Sequence, residues 1–255
     1  MYREVEYFFL NHFSNLGLKK NDKILVYSDL SKFGIYNKNL PKIVLKSIKK
    51  IIGKKGTIIM PFYLLNDSNV VFNNKKFNFT KYTGNLVKAF VKEKNIIRSK
   101  SLIHNHVGQG PFAKILNYSN ERSSIGRYSD FEHIKNSNFK LLLLGCTFLQ
   151  GGTYLHHLEA IANVPYRKWI KVKKKLLKNN KNEIIFVDYF ARKNDEYISN
   201  FNSVFQRLRK LNLSIKIENI KYGNSICMNL KKLHKAGLKL LKKNKYSFVK
   251  KKSKL

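Results

Sequence analysis

The sequence predicts an α/β protein, a central mixed sheet flanked by helices with a C-terminal strand-helix lobe appended. Three observations carry that prediction. Short unbroken apolar runs, Ile24-Leu25-Val26-Tyr27 and Leu141-Leu142-Leu143-Leu144, have the pattern of strands buried on both faces. Amphipathic segments of helical period lie between such runs. From Trp169 onward the order changes to two strands, a helix, a strand and a basic helix.

Taken in order, Asp22 to Ser28 is the first buried strand. Leu40 to Ile52 sets Leu40, Ile43, Val44, Ser47, Ile48, Ile51 and Ile52 along one stripe with lysines opposite, which is a surface helix. Gly56 to Pro61 is the next strand, stopped by a residue that cannot donate to a ladder. Thr83-Gly84 opens a helix over roughly Asn85 to Lys94, with Leu86, Val87, Phe90 and Val91 turned inward. Lys140 to Gly145 is the third buried strand. Beyond it, Trp169 to Lys175 and Glu183 to Tyr189 read as strands joined by the polar turn Lys178 to Asn182. Asp195 to Leu211 reads as a helix, Ser214 to Ile220 as a strand, and Asn229 to Lys242 as a basic amphipathic helix. No repeat and no Pro- or Gly-rich linker divides the chain, so a single domain is expected, with 1–168 as core and 169–255 as lobe or lid.

Composition excludes several classes. With 43% hydrophobic residues in 255 the chain can bury a core, so it is not disordered. Met1 to Glu6 carries acids and no long apolar run, so it does not read as a signal peptide. The longest aliphatic run, Leu141 to Leu144, is too short to span a bilayer. Cys146 and Cys227 make neither a disulfide framework nor a zinc pattern, and a cytoplasmic setting is expected. The 51 Lys+Arg against 15 Asp+Glu give a net charge of +36. A lysine-rich composition is the favoured cause over a dedicated anionic partner, with repulsion of polycations and attraction of phosphate-bearing ligands as its by-product. Lysine is spread along the chain, denser only at Lys171 to Lys181 and Lys239 to Lys254, and neither run is interleaved with aromatics. A nucleic-acid partner is therefore not expected.

Seven histidines supply the candidate chemistry. His12, His133 and His234 sit among Lys and Asn in segments expected to be exposed. His104 and His106 form a His-x-His pair, readable as a metal pair, a catalytic base or satisfied structural residues. His156, His157 and Glu159 follow a Gly151-Gly152-Thr153 turn with Thr153 as expected helix cap. On a helix Glu159 falls on the face of His156, while His157 points elsewhere. A carboxylate beside an imidazole fixes its tautomer and stabilises its protonated form, as a general base requires. The alternative for this pair is a surface ion pair. The spacing is not that of a helical zinc protease. Cys146 reads either as an acyl-accepting nucleophile or as a small hydrophobe.

The fragments also occur in a recognisable order. Ser28, Leu30 and Gly34 come first, then Gly56 to Pro61, Thr83-Gly84, Arg98-Ser99, His104 and Gly110-Pro111. Ser124 and Gly126, Leu142 to Gly145, Thr153, Leu155-His156, Glu159 and Val164 to Arg167 complete the series. In this order the chain resembles the aminoglycoside 3-N-acetyltransferase family of antibiotic N-acetyltransferases over nearly its whole length. The resemblance implies an α/β fold and direct acyl transfer from coenzyme A to an amine, with acetyl-CoA or another acyl-CoA as co-substrate and no metal. It implies His156 as general base, Glu159 as its partner and His104 as the later histidine of a family His block. Ser28, Arg98, Ser99 and Ser124 are then expected on the acyl-CoA side, and Asp29, Tyr63 and Thr153 at the acceptor. Against the family pattern, Tyr27 and Asp29 replace a common His and Ser, Phe62 replaces a Thr, and Ser101-Leu102 and Asn105 replace parts of the His block.

Few acids lie near these motifs: Asp29, Asp67, Asp130, Glu132 and Glu159. That shortage favours an anionic acceptor, a nucleotide-linked amino sugar for surface glycan synthesis, over a polycationic aminoglycoside. Antibiotic inactivation is the alternative acceptor reading, and a basic polyanion-binding protein without catalysis is the alternative of another class.

Overall fold

Strands apolar on both faces need a helical layer above and below them, and the chain supplies both. The computed structural model describes residues 2–64, 71–73, 77–80, 83–178, 180–211 and 213–252. Asp67, Asn179 of the expected turn and the basic tail beyond Lys252 lie outside the described residues. The first half runs α1 (Tyr2–Asn15), β1 (Lys23–Ser28), α2 (Leu40–Ile52), β2 (Thr57–Pro61), β3 (Val71–Phe72), α3 (Asn85–Phe90), β4 (Ile97–Arg98) and β5 (His106–Gln109). Then come α4 (Asp130–Asn136), β6 (Lys140–Leu144), α5 (Phe148–Gly151) and α6 (Thr153–Ile161). A long hairpin of β7 (Arg167–Lys178) and β8 (Lys181–Arg192) follows. The chain closes with β9 (Tyr197–Ser199), α7 (Phe201–Arg209), β10 (Lys216–Ile220), β11 (Gly223–Asn229), α8 (Leu230–Lys243) and β12 (Val249–Lys251).

The main sheet has seven strands in the order β10-β11-β6-β1-β2-β5-β4. Its centre, β6-β1-β2, is parallel, with Leu25 opposite both Ile59 and Leu141, and the flanking pairs are antiparallel. Side chains alternate between two cores. Ile24, Val26, Ile58, Met60, Leu142 and Leu144 pack with the side that holds α1, α2 and α3. Leu25, Tyr27, Ile59, Leu141 and Leu143 pack with the side that holds α4, α6, α7 and α8. Residues beyond the expected boundary at Trp169 contribute to this same sheet, because β11 pairs with β6 and β10 with β11. The hairpin forms a separate three-stranded sheet with β3, and the small pair β9 and β12 ties down the C-terminal end.

The α2 expectation holds to the residue, and β1, β2 and β6 each differ from theirs by one residue at one end. The α3 helix stops at Phe90 rather than Lys94: Val91 still bonds back to Val87, but Lys92 and Glu93 bond only three residues back, to Ala89 and Phe90, so the segment continues as a turn. Asp195 to Leu211 is not one helix: Tyr197–Ser199 gives its backbone groups to β12, and α7 starts only at Phe201. The sequence reading missed α1 and also β11, whose Gly-Asn-Ser start hides the apolar Ile226-Cys227-Met228 centre. His12 and His234 are not exposed either. His12 is buried, stacked on Phe8 and edge-on to Phe33, and His234 accepts or donates a 2.8 Å bond with the Tyr154 hydroxyl.

One glycine shapes the end of β6. Gly145 has φ 68°, and a Cβ there would run into the Asp29 carbonyl, so the chain turns away toward α5 and α6 only because position 145 has no side chain.

Four imidazoles are held neutral in the fold. Burial pushes His12 and His234 down to about 4 and His104 and His157 down to about 3. In the unfolded chain they titrate near 6.5. Below that pH the unfolded chain takes up protons that the folded chain refuses, so stability falls as pH falls from about 6.5 to about 3. The thermal midpoint should be flat near pH 7 to 8 and decline through this window, with His12→Phe reducing the slope. A pH-independent midpoint contradicts this burial.

Candidate active site

The parallel strands β1, β2 and β6 all end on one edge of the sheet, and open α/β sheets gather ligands at that edge. Tyr27 and Ser28 close β1, Phe62 and Tyr63 follow β2, and Gly145-Cys146 follow β6. There the Tyr27 and Tyr63 hydroxyls meet at 2.7 Å, and Thr153, the first residue of α6, lies beside both. Burial pushes both phenols upward, so they stay protonated. Thr153 is therefore not the helix cap the sequence suggested. Gly152 caps α6 through its backbone alone, and the capping box belongs to Thr147 and Gln150 at the head of α5.

On α6 the expected geometry is present. His156 Nδ1 lies 2.6 Å from Glu159 Oε2, and the ring stays 26% exposed while Glu159 has no solvent contact. Two residues given no role by the sequence reading complete the cluster. The Tyr166 hydroxyl donates to Glu159 Oε1 at 2.8 Å, and Arg167 Nε lies 2.8 Å from Oε2 as an ion pair. Burial alone raises the Glu159 pKa. Attraction to His156 and Arg167 and the Tyr166 bond outweigh it, and the net shift is downward. Arg167 Nη2 also approaches His156 Nδ1 to 3.0 Å. The Glu159 carboxylate only accepts and is the nearer neighbour at 2.6 Å, so the Nδ1 proton points to Glu159 and the arginine is a charge neighbour of the ring. That tautomer leaves Nε2 with a free lone pair on the partly exposed side.

The remaining expected site residues are distributed as follows. His104 is buried near this cluster and close to the Ser124 backbone, and its surroundings include His156, His106 and Arg167. Its Nδ1 is buried without a partner among the described residues. His106 is a separate, fully buried unit, 2.7 Å from Asp130, whose other oxygen accepts from Ser119. Ser124 is buried and donates to the Asp188 carbonyl at 2.8 Å. Ser28 is half-buried at the sheet edge, and Asp29 caps the turn after it by accepting from the Ser31 backbone and hydroxyl. Arg98 and Ser99 are not with His156. Arg98 donates to Asn105 and the Asn73 carbonyl and lies over the Phe62, Phe72 and Phe77 rings, while Ser99 accepts from Asn105 and the His106 backbone. Both shape the loop that presents His104. Cys146 is pushed up to about 12 by burial and is no thiolate nucleophile. Among the described residues no group of three or more His, Cys, Asp or Glu is placed to hold a metal ion.

An open cleft of about 520 Å³ begins one turn of α6 past His156, at Ala160 and Ile161. The loop 120–129 forms one wall with Arg122, Arg127 and Tyr128, and the hairpin supplies Trp169 and Asp188. This loop is held from within. Ser123 Oγ donates to the Arg127 carbonyl at 2.7 Å, and the Gly126 N–H donates to His157 Nδ1 at 3.2 Å. His157 thus faces away from His156, as its helical position requires, and supports the cleft wall.

The comparisons agree with this architecture. The family model for aminoglycoside 3-N-acetyltransferase matches residues 25–242. The SPbeta prophage-derived aminoglycoside N(3')-acetyltransferase-like protein YokD of Bacillus subtilis (strain 168) is 25% identical over 177 residues. That match covers 61% of this chain and 64% of the relative, just under two thirds of its length. The crystal structure of YokD from Bacillus subtilis superposes with a TM-score of 0.81 at 21% identity, covering 94% of each chain. AAC(3)-IVa, solved as a histidine-to-alanine variant in complex with a gentamicin, gives 0.78 at 20% identity over 95% of this chain and 90% of that one. AAC-IIIb, solved with CoASH, gives 0.80 at 16% identity over 93% and 96%. With the family pattern matched from β1 to the end of α8, the chain belongs to the aminoglycoside 3-N-acetyltransferase family.

Proposed function

We propose that the protein is an acyl-CoA-dependent N-acyltransferase in which His156 acts as general base. The observation that carries this reading is the His156–Glu159–Arg167 cluster, which leaves a partly exposed imidazole with its Nε2 lone pair free. The acyl-CoA thioester supplies an activated carbonyl. The neutral amine of the acceptor attacks it, a C–N bond forms and the C–S bond breaks. His156 Nε2 takes the amine proton, and Glu159 stabilises the resulting imidazolium. The thiolate leaves and takes up a proton, so the products are the amide and the free thiol. His104, held neutral, and the Tyr27–Tyr63–Thr153 hydroxyls offer uncharged polar contacts around the reacting groups. Ser28 and the loop carrying Ser124 are assigned to the acyl-CoA side, with Arg98 and Ser99 acting through the loop they brace. Asp29, Tyr63 and Thr153 are assigned to the acceptor.

For the acceptor, family membership and the solved relatives support an aminoglycoside, ahead of the nucleotide-linked amino sugar that net charge alone favours. The second reading keeps one specific support, the arginine-lined cleft beside α6. Comparing kcat/KM for gentamicin and for a nucleotide-linked amino sugar, both with acetyl-CoA, decides between them. Equal inactivity toward every amine tested, with no thiol release, leaves the non-catalytic polyanion-binding reading.

Three variants grade the cluster. His156→Ala should keep the fold, because the ring is partly exposed, and lose about 10²- to 10⁴-fold in turnover. Near-normal turnover by the folded variant would falsify the assignment. Glu159→Gln should cost more in stability, about 3 kcal/mol or more, because it leaves buried Arg167 uncompensated. Tyr166→Phe removes one donor to a carboxylate that keeps its other partners, so it should cost about 1 kcal/mol and less than tenfold in kcat. Denaturant midpoints and single-turnover rates check the order, and a Tyr166→Phe loss as deep as that of Glu159→Gln contradicts it.

A further inference from the structure

We infer that the cleft between the 120–129 loop and the β7–β8 hairpin binds a nucleoside diphosphate, the base stacked on Trp169 and the phosphates held by Arg122 and Arg127. Its volume of about 520 Å³ suits a ligand of that size. Trp169 is 45% exposed and Tyr128 65% exposed, and two aromatic side chains open to solvent at one cavity offer a stacking surface. Gly126 faces the tryptophan: a Cβ there would meet the indole at 3.5 Å and the Ala160 methyl at 3.6 Å, ordinary contact distances, so the wall comes up to the ring edge.

Charge points to the phosphates. Arg122 and Arg127 are exposed at the cleft, and neither guanidinium has an ion pair among the described residues. Asp188, the carboxylate at the cleft, is already neutralised by Lys171 at 2.6 Å. Planar guanidiniums without a counter-charge suit phosphate oxygens and repel a polyamine. The wall is also prebuilt. Tyr128 is held at φ 61°, an unfavourable conformation for a bulky residue, by its N–H bond to Glu132 at 2.6 Å and by its carbonyl accepting from Asn120 at 2.9 Å. Ser124, bonded to the Asp188 carbonyl, ties the loop to the hairpin beneath the cleft.

Position gives the site a use, and this step alone rests on the acyltransferase reading. Ala160 is one helical turn, about 5 Å, past His156, and Trp169 is one strand repeat, about 7 Å, past Arg167. A nucleotide seated there directs the rest of its molecule toward the imidazole. Either an acyl donor or an acceptor can bring the nucleotide.

The test uses the fact that Trp169 is the chain's single tryptophan, so its fluorescence reports on this cleft. The purified protein is titrated with ADP, UDP and inorganic pyrophosphate. A saturable quench by ADP or UDP is expected, with pyrophosphate competing but producing little quench itself. The R122A/R127A double variant should weaken nucleotide binding at least tenfold at an unchanged thermal midpoint. Displacement of ADP by coenzyme A assigns the nucleotide to the acyl donor, and UDP binding that coenzyme A leaves in place assigns it to the acceptor. No quench by either nucleotide, or quenching insensitive to loss of both arginines, overturns the proposal. Nucleotide binding without acyl transfer to any amine leaves the cleft standing and removes the acyltransferase reading. Turnover without binding at Trp169 does the reverse.

Discussion

A carboxylate with no access to water has to be surrounded by cations and donors, and the placement of Glu159 constrains everything around it. Its three partners come from different parts of the chain. His156 is on the same helix, Tyr166 is in the connection after it, and Arg167 is the first residue of β7. Arg167 in turn donates to the Phe190 carbonyl on β8. One buried charge therefore locks α6 to the base of the hairpin and fixes the imidazole tautomer. The interaction is structural, and the proposed chemistry depends on it: removing the Arg167 charge leaves the buried carboxylate incompletely compensated.

The sheet supplies the second constraint. Three parallel strands deliver Tyr27, Tyr63 and the Gly145 turn to a single edge, and Gly145 directs the chain straight into α5 and α6. Thr153, the first residue of α6, then lies beside the two phenols, which sets the start of α6 against the strand ends. The antiparallel β5 begins at the same edge, since His106 pairs with Pro61, and the loop before it carries His104. Residues far apart in sequence meet here because the topology ends their strands together.

How much of this was legible in the sequence depends on whether a feature is local. The stripe of α2, the apolar runs of β1, β2 and β6, and the three-residue spacing of His156 and Glu159 are short-range patterns, and each appears where expected. The roles of Tyr166 and Arg167 were not legible, because their partner lies across a helix-to-strand turn. Nothing local marks an arginine as buried. The Val164-Pro165-Tyr166-Arg167 run stood out as a motif but carried no geometry. The hairpin shows the same limit. Read linearly, Lys171 to Lys175 has no aromatic companions, yet cross-strand register sets Phe186 opposite Lys173 and Ile184 opposite Lys175, all exposed. The interleaving of cation and apolar side chain exists only after the strands pair.

The same distinction governs the acceptor. A net charge of +36 acts at long range and is screened over about 10 Å at moderate salt, whereas recognition is decided by the groups in contact. At contact range the acids near His156 are already committed: Glu159 to Arg167, Asp130 to His106 and Ser119, and Asp29 to the turn at Ser31. The nearby cleft presents arginines whose charge is uncompensated among the described residues. If the His156 cluster carries out the proposed acyl transfer, the local charge acts on which molecule brings the amine. A polycation approaching His156 finds no uncommitted carboxylate among these three, while a phosphate-bearing molecule finds two guanidiniums and an exposed indole within a helical turn or strand repeat of the cluster. In the proposed reaction, the His156 cluster and the charge beside it thus act on different halves.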